Sequence, residues 1–159
     1  NKILKPIIDN DDRSLIVQKT GMSRDIMISS FLKHSHSILI GTSSFWEGID
    51  FPGDKLEILC IVKTPFENPY DPLVQSLIEE YNQKGEDAFI NYQVPEATMK
   101  LRQGFGRLIR NTTDMGICVL FDTRLYNRKY GKIILDSFPV SPTFYQHVSR
   151  LILDSKKFF

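Results

Sequence analysis

Two arginines and a glutamine recur at helical spacing in the segment LRQGFGRLIRN, Leu101 to Asn111. At about 100° per residue, Gln103, Arg107 and Arg110 would fall within an arc of roughly 60° on one helix. Arginine stays charged and carries forked N–H donors that stabilise charge on a transferring phosphoryl group. The spacing therefore predicts a clamp for a polyphosphate. An ordinary solvated basic face is the alternative.

Two glycines, Gly104 and Gly106, flank this polar stripe. Each costs a helix about 1 kcal/mol relative to alanine, so both predict the close approach of another backbone or a ligand. A dinucleotide-binding fingerprint fits poorly, because Ile109 stands where the third glycine is required and the segment follows no strand.

A second polar segment, GTSSFWEGIDFPG, leaves a predicted strand at Gly41. Thr42, Ser43 and Ser44 follow that glycine, and short hydroxyl donors with their backbone amides suit a phosphate or a nucleic-acid backbone. Ligands of open parallel sheets bind beyond the carboxyl ends of the strands, which is where this segment begins. A turn-rich loop with hydroxyl capping is the alternative.

The same segment carries two adjacent aromatic residues and two carboxylates. Trp46 could stack on a base, an interaction worth about 1–3 kcal/mol per base, or join the core, whereas Phe45 is expected to be buried. Glu47 and Asp50 lie on either side of the flexible Gly48.

The elements that would position these segments alternate between short apolar runs and amphipathic stretches. Four continuous apolar runs predict strands buried in a parallel sheet: 14–19, 37–41, 57–63 and 116–122. Helices are predicted after Ser23, after the cap Asp71 with Pro72, from Pro95 to about Arg110, over 130–138, and from 144 to about 156. This order predicts a doubly wound α/β sheet with right-handed crossovers.

Length and composition fit one globular domain. The 159 residues carry 20 basic and 19 acidic side chains, so any contact with phosphate depends on local placement rather than total charge. No apolar run approaches the length of a membrane span. Cys60 and Cys118 sit singly in apolar runs, which predicts buried reduced thiols without disulfide or metal and a cytoplasmic protein. The segment 1–9 resembles the end of a helix without its preceding strand, so we expect an excised fragment.

The two polar segments in this order resemble motifs V and VI of superfamily 2 helicases. GTSSFWEGIDFPG, VKTPFENPYDPL, LRQGFGRLIRN, GICVLFDTR and YGK together resemble the DinG branch of the DinG/XPD family from about Ser23 to Phe138. The resemblance implies that residues 1–159 form the second, C-terminal RecA-like motor domain. Its fold would be a three-layer α/β domain with a mostly parallel sheet and helices on both faces, without its leading strand.

The resemblance also implies roles for individual residues. Gly48 and Asp50 match positions that line the nucleotide, with Asp50 near the ribose. Gln103, Arg107 and Arg110 match motif VI, in which the arginines face the γ-phosphate and Arg110 takes the arginine-finger position.

The motif V residues would supply part of the grip on DNA. Thr42, Ser43 and Ser44 match positions that contact the single-strand backbone, and Trp46 is the candidate for stacking on a base. Glu47 matches a carboxylate of the family to which the residues assign no role. Pairing with a motif VI arginine is one interpretation.

The chain contains neither a G-x-x-x-x-G-K-[ST] phosphate loop nor a D-E-x-H segment. In the family both belong to the first motor domain. The resemblance therefore implies that ATP with Mg²⁺ is held mainly by that domain, and that this chain alone does not hydrolyse ATP. The implied partners are single-stranded DNA and the first RecA-like domain, with no membrane, and the implied movement is 5′-to-3′.

Two parent architectures and a third function remain open. One parent type carries an iron–sulfur cluster in the first motor domain. The other lacks it and carries an upstream DnaQ-like 3′-to-5′ exonuclease, with ATP and DNA binding in a regulatory role; the Ile-, Lys- and Asn-rich composition leans toward this type. A non-catalytic nucleic-acid-binding module is the third reading.

Overall fold

The computed structural model describes residues 13–42, 51 and 55–158. Within this part, the structure contains four strands, six α-helices and a π-helical segment; the four strands and five of the helices occur in the predicted order. The elements are β1 (Ser14–Val17), α1 (Arg24–Lys33), β2 (Ser37–Ile40), β3 (Ile58–Ile61), α2 (Pro72–Gln83), the π-helical segment (Phe89–Gln93), α3 (Val94–Leu108), β4 (Ile117–Leu120), α4 (Arg124–Asn127), α5 (Lys129–Asp136) and α6 (Val148–Ser155). The chain divides into two compact units, 1–50 and 51–159.

The first unit contains a pair of parallel strands. β1 and β2 align from Ser14 opposite Ser37 to Val17 opposite Ile40. Helix α1 connects the two strands and contacts both, and Met27 is its buried residue. This β-α-β connection brings the carboxyl ends of β1 and β2 to the same edge.

The second unit contains another parallel pair and most of the core. β3 and β4 align from Ile58 opposite Ile117 to Ile61 opposite Leu120. Helix α3 contacts both strands, α5 and the π-helical segment. Its Ala97 and Leu101 are 0% exposed, so α3 is the central element of this unit.

The beginning of α2 confirms the predicted cap. The Asp71 side chain accepts hydrogen bonds from the backbone N–H groups of Leu73 and Val74, and Pro72 occupies the first turn. These bonds satisfy donors that a helix otherwise leaves unpaired at its N-terminus. At the other predicted cap, Ser23 precedes α1 without a side-chain capping bond.

The structure differs from the prediction in the extent of its elements, in one burial assignment, and in two elements that were not predicted, α4 and the π-helical segment. The strands are shorter than the apolar runs, and the last helix begins at Val148 rather than at residue 144. Cys60 is exposed, which corrects its predicted burial. Cys60 and Ile58 point to the same face of β3, and the buried Ile61 points to the other. The described residues leave the first face uncovered, and Ile58 is 49% exposed there. Cys118 is half-buried, and its burial raises the pKa of the thiol to about 12.

These elements agree with the predicted α/β fold of RecA-like type, with parallel strands joined through helices. A single sheet containing all four strands stays a prediction, because the two pairs belong to separate units. Among the residues with described positions, no helix is long and apolar enough to cross a membrane. The same residues contain no group of three or more His, Cys, Asp and Glu side chains arranged for a metal ion.

Candidate nucleotide and nucleic-acid sites

Helix α3 separates a core face from a polar face. Its buried residues recur at intervals of three or four: Val94, Ala97, Leu101, Gly104 and Leu108. Gly104 therefore belongs to the buried face. Gly106 is exposed, and a Cβ added there would meet nothing within 4 Å. Of the two glycines, Gly106 leaves open space beside its backbone.

Gln103 and Arg107 lie one helical turn apart on α3. Gln103 is exposed and, together with Ile133 and Ser137, lines a groove of about 630 Å³ between α3 and α5. Arg107 is half-buried, and its Nε is buried without a hydrogen-bond partner among the described residues. A buried donor left unpaired costs about 1–3 kcal/mol. Arg107 thus holds a guanidinium donor for which this part of the chain supplies no acceptor.

Arg110 lies beyond the end of α3. The helix ends at Leu108, and Ile109 is extended with φ −120° and ψ 108°. The predicted helical arc therefore contains Gln103 and Arg107 but not Arg110. Because α3 ends here, the position of Arg110 is set by the turn that follows.

That turn is fixed by Asp114, which is not among the residues predicted from the sequence. Its Oδ2 accepts hydrogen bonds from the backbone N–H groups of Arg110 at 2.8 Å and Asn111 at 3.2 Å. The bond from Arg110 is the main reason that the pKa of Asp114 is lowered. Asn111 Oδ1 accepts from Thr113 and Asp114, as in an Asx turn. The spelling N-T-T-D is the sequence signal for this turn.

The first unit places Thr42 against another residue that was not predicted. Gln18 follows β1, and its Oε1 accepts hydrogen bonds from Thr42 N–H at 2.8 Å and Thr42 Oγ1 at 3.1 Å. The two residues thereby join the carboxyl ends of β1 and β2, the edge at which the sequence predicts a ligand. The remaining predicted DNA contacts Ser43, Ser44 and Trp46 lie outside the described residues. So do the predicted nucleotide contacts Gly48 and Asp50, together with Phe45 and Glu47.

A matching link joins the carboxyl ends of β3 and β4. Asp122 Oδ2 accepts from Thr64 N–H at 2.8 Å and Thr64 Oγ1 at 2.7 Å. Arg124 donates to both carboxylate oxygens, through Nε to Oδ1 at 2.9 Å and Nη2 to Oδ2 at 2.7 Å. The Asp122 side chain is 5% exposed, and the hydrogen bond from Arg124 is the main cause of its lowered pKa.

The Pro-rich loop after β3 is braced along its length. Phe66 packs against Phe89 and Tyr130, with ring centroids 5.3 and 5.6 Å away, and the Arg124 guanidinium lies 5.4 Å from its ring. Glu67 pairs with Lys100 of α3. These contacts hold the loop to the core of the second unit.

The two units thus contain parallel α/β pairs with polar residues at the carboxyl ends of their strands, and arginines lie at and just beyond the end of a glycine-containing helix. The model of the helicase C-terminal domain family matches residues 1–141. The chain belongs to this family.

Relatives of known name confirm the resemblance to the DinG branch. The ATP-dependent DNA helicase YoaA of Haemophilus influenzae is 45% identical over 119 residues, 75% of this chain and 19% of that protein. The ATP-dependent DNA helicase DinG of Photobacterium profundum is 43% identical over 140 residues, 86% of this chain and 20% of that protein. The 3′-5′ exonuclease DinG of Bacillus subtilis is 39% identical over 122 residues, 77% of this chain and 13% of that protein. The chain thus spans a fifth or less of these relatives.

Proposed function

We propose that this chain is the second motor domain of a DinG-type, ATP-dependent DNA helicase or translocase. In this role it supplies arginines to ATP and part of the grip on single-stranded DNA, and it is inactive alone. The buried, unpartnered Nε of Arg107 carries the proposal. A guanidinium forms strong, charge-assisted hydrogen bonds with the anionic oxygens of a phosphate. The helicase relatives are named for their dependence on ATP, which carries such oxygens.

The two arginines have different tasks in this proposal. Arg107 is held on the rigid helix α3, so it would bind and orient a γ-phosphate oxygen. Arg110 follows the helix on a turn fixed by Asp114 and takes the arginine-finger role, stabilising charge as the phosphoryl group is transferred. Mg²⁺ and the phosphate loop belong to the first motor domain, and Mg²⁺ supplies further charge neutralisation at the phosphates when bound. Gly48, Asp50 and Gln103 are proposed to line the nucleotide.

On the DNA side, the loop that begins at Thr42 contacts the strand. Ser43, Ser44 and Trp46 are proposed contacts within it. Closing the two motor domains on ATP would change this grip, and hydrolysis would relax it, which gives one directional step.

Substituting the two arginines in the full-length protein tests the proposal. Arg110→Ala is expected to lower DNA-stimulated ATP turnover by about 10³-fold or more, the usual contribution of an arginine finger. Arg107→Met is expected to lower turnover while leaving thermal stability equal or higher, because it removes an unpaired buried donor. A merely structural arginine would give the reverse pattern.

Arg128→Ala is the matched control, since Arg128 is exposed and lies between α4 and α5. Its turnover should match that of the unsubstituted protein. Near-normal turnover of Arg110→Ala would contradict the arginine-finger role.

The exonuclease relative favours a second candidate function. Because the Bacillus subtilis protein is named a 3′-5′ exonuclease, the parent of this chain could degrade DNA, with ATP and strand binding in this region regulating that activity. Unwinding and exonuclease assays on the full-length protein separate the two functions. Nucleotide release without ATP-driven unwinding would support the exonuclease.

A non-catalytic nucleic-acid-binding module is the third candidate. It would bind single strands in a salt-dependent manner without responding to ATP analogues. The unpaired donor of Arg107 argues against it, because pure strand binding does not require a buried Nε donor on α3.

A further inference from the structure

The hydrogen bonds of the Gln18 side chain identify which branch of its amide is the oxygen and which is the nitrogen. The Thr42 backbone N–H can only donate a hydrogen bond, so the Gln18 atom 2.8 Å away must be the carbonyl oxygen Oε1. The Thr42 hydroxyl meets the same oxygen at 3.1 Å. The NH₂ group therefore forms the other branch of the amide and points away from both donors.

The Gln18 backbone places this amide at the edge where ligands bind. Its N–H donates to Ile40 at 2.8 Å, which continues the β1–β2 ladder one residue beyond Val17. Gln18 thus stands directly after the carboxyl end of β1, and Thr42 stands two residues after the end of β2. The backbone of Gln18 is thus fixed by its bond to Ile40, and its side chain is fixed by Thr42.

The NH₂ group has two donors without an acceptor in the described part of the chain. Gln18 is half-exposed, and its Nε2 does not belong to the buried unpaired atoms found there. The group is therefore not fully buried. The link between β3 and β4 shows the opposite arrangement: Asp122 collects the same two donors from Thr64, but Arg124 occupies its second oxygen. In Gln18 the corresponding branch is open.

Thr42 is in turn poorly placed to donate to a phosphate. Its N–H and its hydroxyl hydrogen are both directed at Gln18, and a phosphodiester oxygen can only accept. Binding phosphate through Thr42 would break the link, whereas binding through Gln18 would keep it.

We propose that Gln18 binds a backbone phosphate of single-stranded DNA through its NH₂ group, with Thr42 positioning the amide. This assignment rests on the proposed function and moves the contact expected of Thr42 to a residue outside the motif V segment. Glutamine side chains are ordinary phosphate contacts in protein–DNA complexes, and they fix the register of the strand without reading its sequence. The ligand chemistry is a phosphate oxygen, which ATP also carries, so the test separates the two sources.

Gln18→Glu in the full-length protein provides the decisive variant. The glutamate keeps an oxygen that accepts both Thr42 bonds but replaces the NH₂ donors with a second, negatively charged oxygen. We expect the Kd for a fluorescent oligo(dT) strand, measured without nucleotide, to rise about tenfold or more. The KM for ATP in the absence of DNA should stay unchanged.

Two further variants control this result. Gln75→Glu makes the same change of charge at an exposed position of α2 and should alter the Kd less than about twofold. Thr42→Val removes one bond to Oε1 but retains the backbone N–H, so it should weaken binding by less than Gln18→Glu does.

Three outcomes would overturn the assignment. Wild-type affinity in Gln18→Glu would show that Gln18 only accepts from Thr42. A raised KM for ATP with unchanged DNA affinity would assign the phosphate to the nucleotide. Unsubstituted protein that binds no single strand would overturn the proposed function itself, and the Gln18 contact with it.

Discussion

A threonine that gives both of its donors to one oxygen occurs at the carboxyl ends of both strand pairs. Gln18 provides that oxygen for Thr42, and Asp122 provides it for Thr64. In each case the side chain after one strand fixes the backbone after its neighbour. The two acceptors differ in charge. Arg124 binds the second oxygen of Asp122, whereas no described residue accepts from the NH₂ group of Gln18.

Removing the charge of Asp122 should loosen the loop after β3. Asp122→Asn weakens the bonds from Thr64 and Arg124, and we expect a local loss of about 1–3 kcal/mol, the usual contribution of hydrogen bonds to a charged group. Hydrogen exchange of the full-length protein measures it as reduced protection at Thr64 and through the loop. Asp136→Asn, at an exposed position, is the control and should leave that protection unchanged.

The same link gives a pH dependence of defined sign. The pKa of Asp122 is lower in the folded protein than in the unfolded chain, chiefly because of Arg124. Its contribution is therefore complete above the unfolded pKa, near 3.9, and is lost as the pH falls toward the folded value. We compare the hydrogen-exchange protection of the Thr64 loop in the unsubstituted protein with that in Asp122→Asn. The ratio of the two should be constant near neutral pH and should shrink below about pH 4. A ratio independent of pH over that range would show that the carboxylate charge does not stabilise the loop.

At the scale of elements, α3 carries both the core of its unit and the candidate phosphate-binding residues. Its buried stripe anchors it against β3, β4 and α5, while Arg107 and Gly106 lie off that stripe. A helix that is rigid on one side can hold a guanidinium in a fixed position on the other, which is what pre-organised electrostatic stabilisation requires.

Alanine at Gly106 should separate stability from activity. No atom lies within 4 Å of an added Cβ, so Gly106→Ala is expected to stabilise the helix by about 0.5–1 kcal/mol through propensity alone. If ATP or the first motor domain approaches this backbone, the same variant lowers DNA-stimulated turnover. Thermal unfolding and ATPase assays of the full-length protein give both values, and unchanged turnover would remove the functional reason for this glycine.

Gly131→Ala is the matched comparison on α5. An added Cβ would clash with the backbone oxygen of Leu125, which cannot move without displacing α4. We expect a loss of stability of about 1–3 kcal/mol, as for other overpacked sites. The two glycines therefore predict opposite changes from the same substitution.

At the scale of the whole molecule, the proposed function assigns this chain one side of a nucleotide site. Its described residues offer arginines and amide donors but no cluster arranged for a metal ion, and its sequence contains no phosphate loop. The matched residues span a fifth or less of the relatives' own length. Hydrolysis of ATP in the proposed function therefore depends on residues contributed by another domain.

The chain by itself should consequently bind ATP weakly. We expect a Kd no tighter than about 1 mM in calorimetry, since two arginines near solvent provide only a few kcal/mol. Circular dichroism on the same sample checks that the chain is folded. Micromolar binding by the folded chain would contradict the division of the site between two domains.

Local patterns were sufficient to predict the order of the strands and of five of the six described α-helices. Apolar runs located all four strands, and the Asp71–Pro72 signal located the start of α2, because strand burial and helix capping depend on neighbours in sequence. The helical arc for Arg110 was wrong in extent, since α3 ends at Leu108 and periodicity does not mark where a helix stops.

The sequence by itself determined the α/β class, the parallel strands and the motif residues that identify the helicase family. Only the tertiary structure decided which side chains pair: Gln18 with Thr42, Asp122 with Thr64 and Arg124, and Asp114 with the backbone of Arg110. Two of these three links join residues 24 and 58 positions apart, where no periodicity connects them. Such contacts exist because parallel strands bring their carboxyl ends to one edge, and that edge forms only when the chain folds.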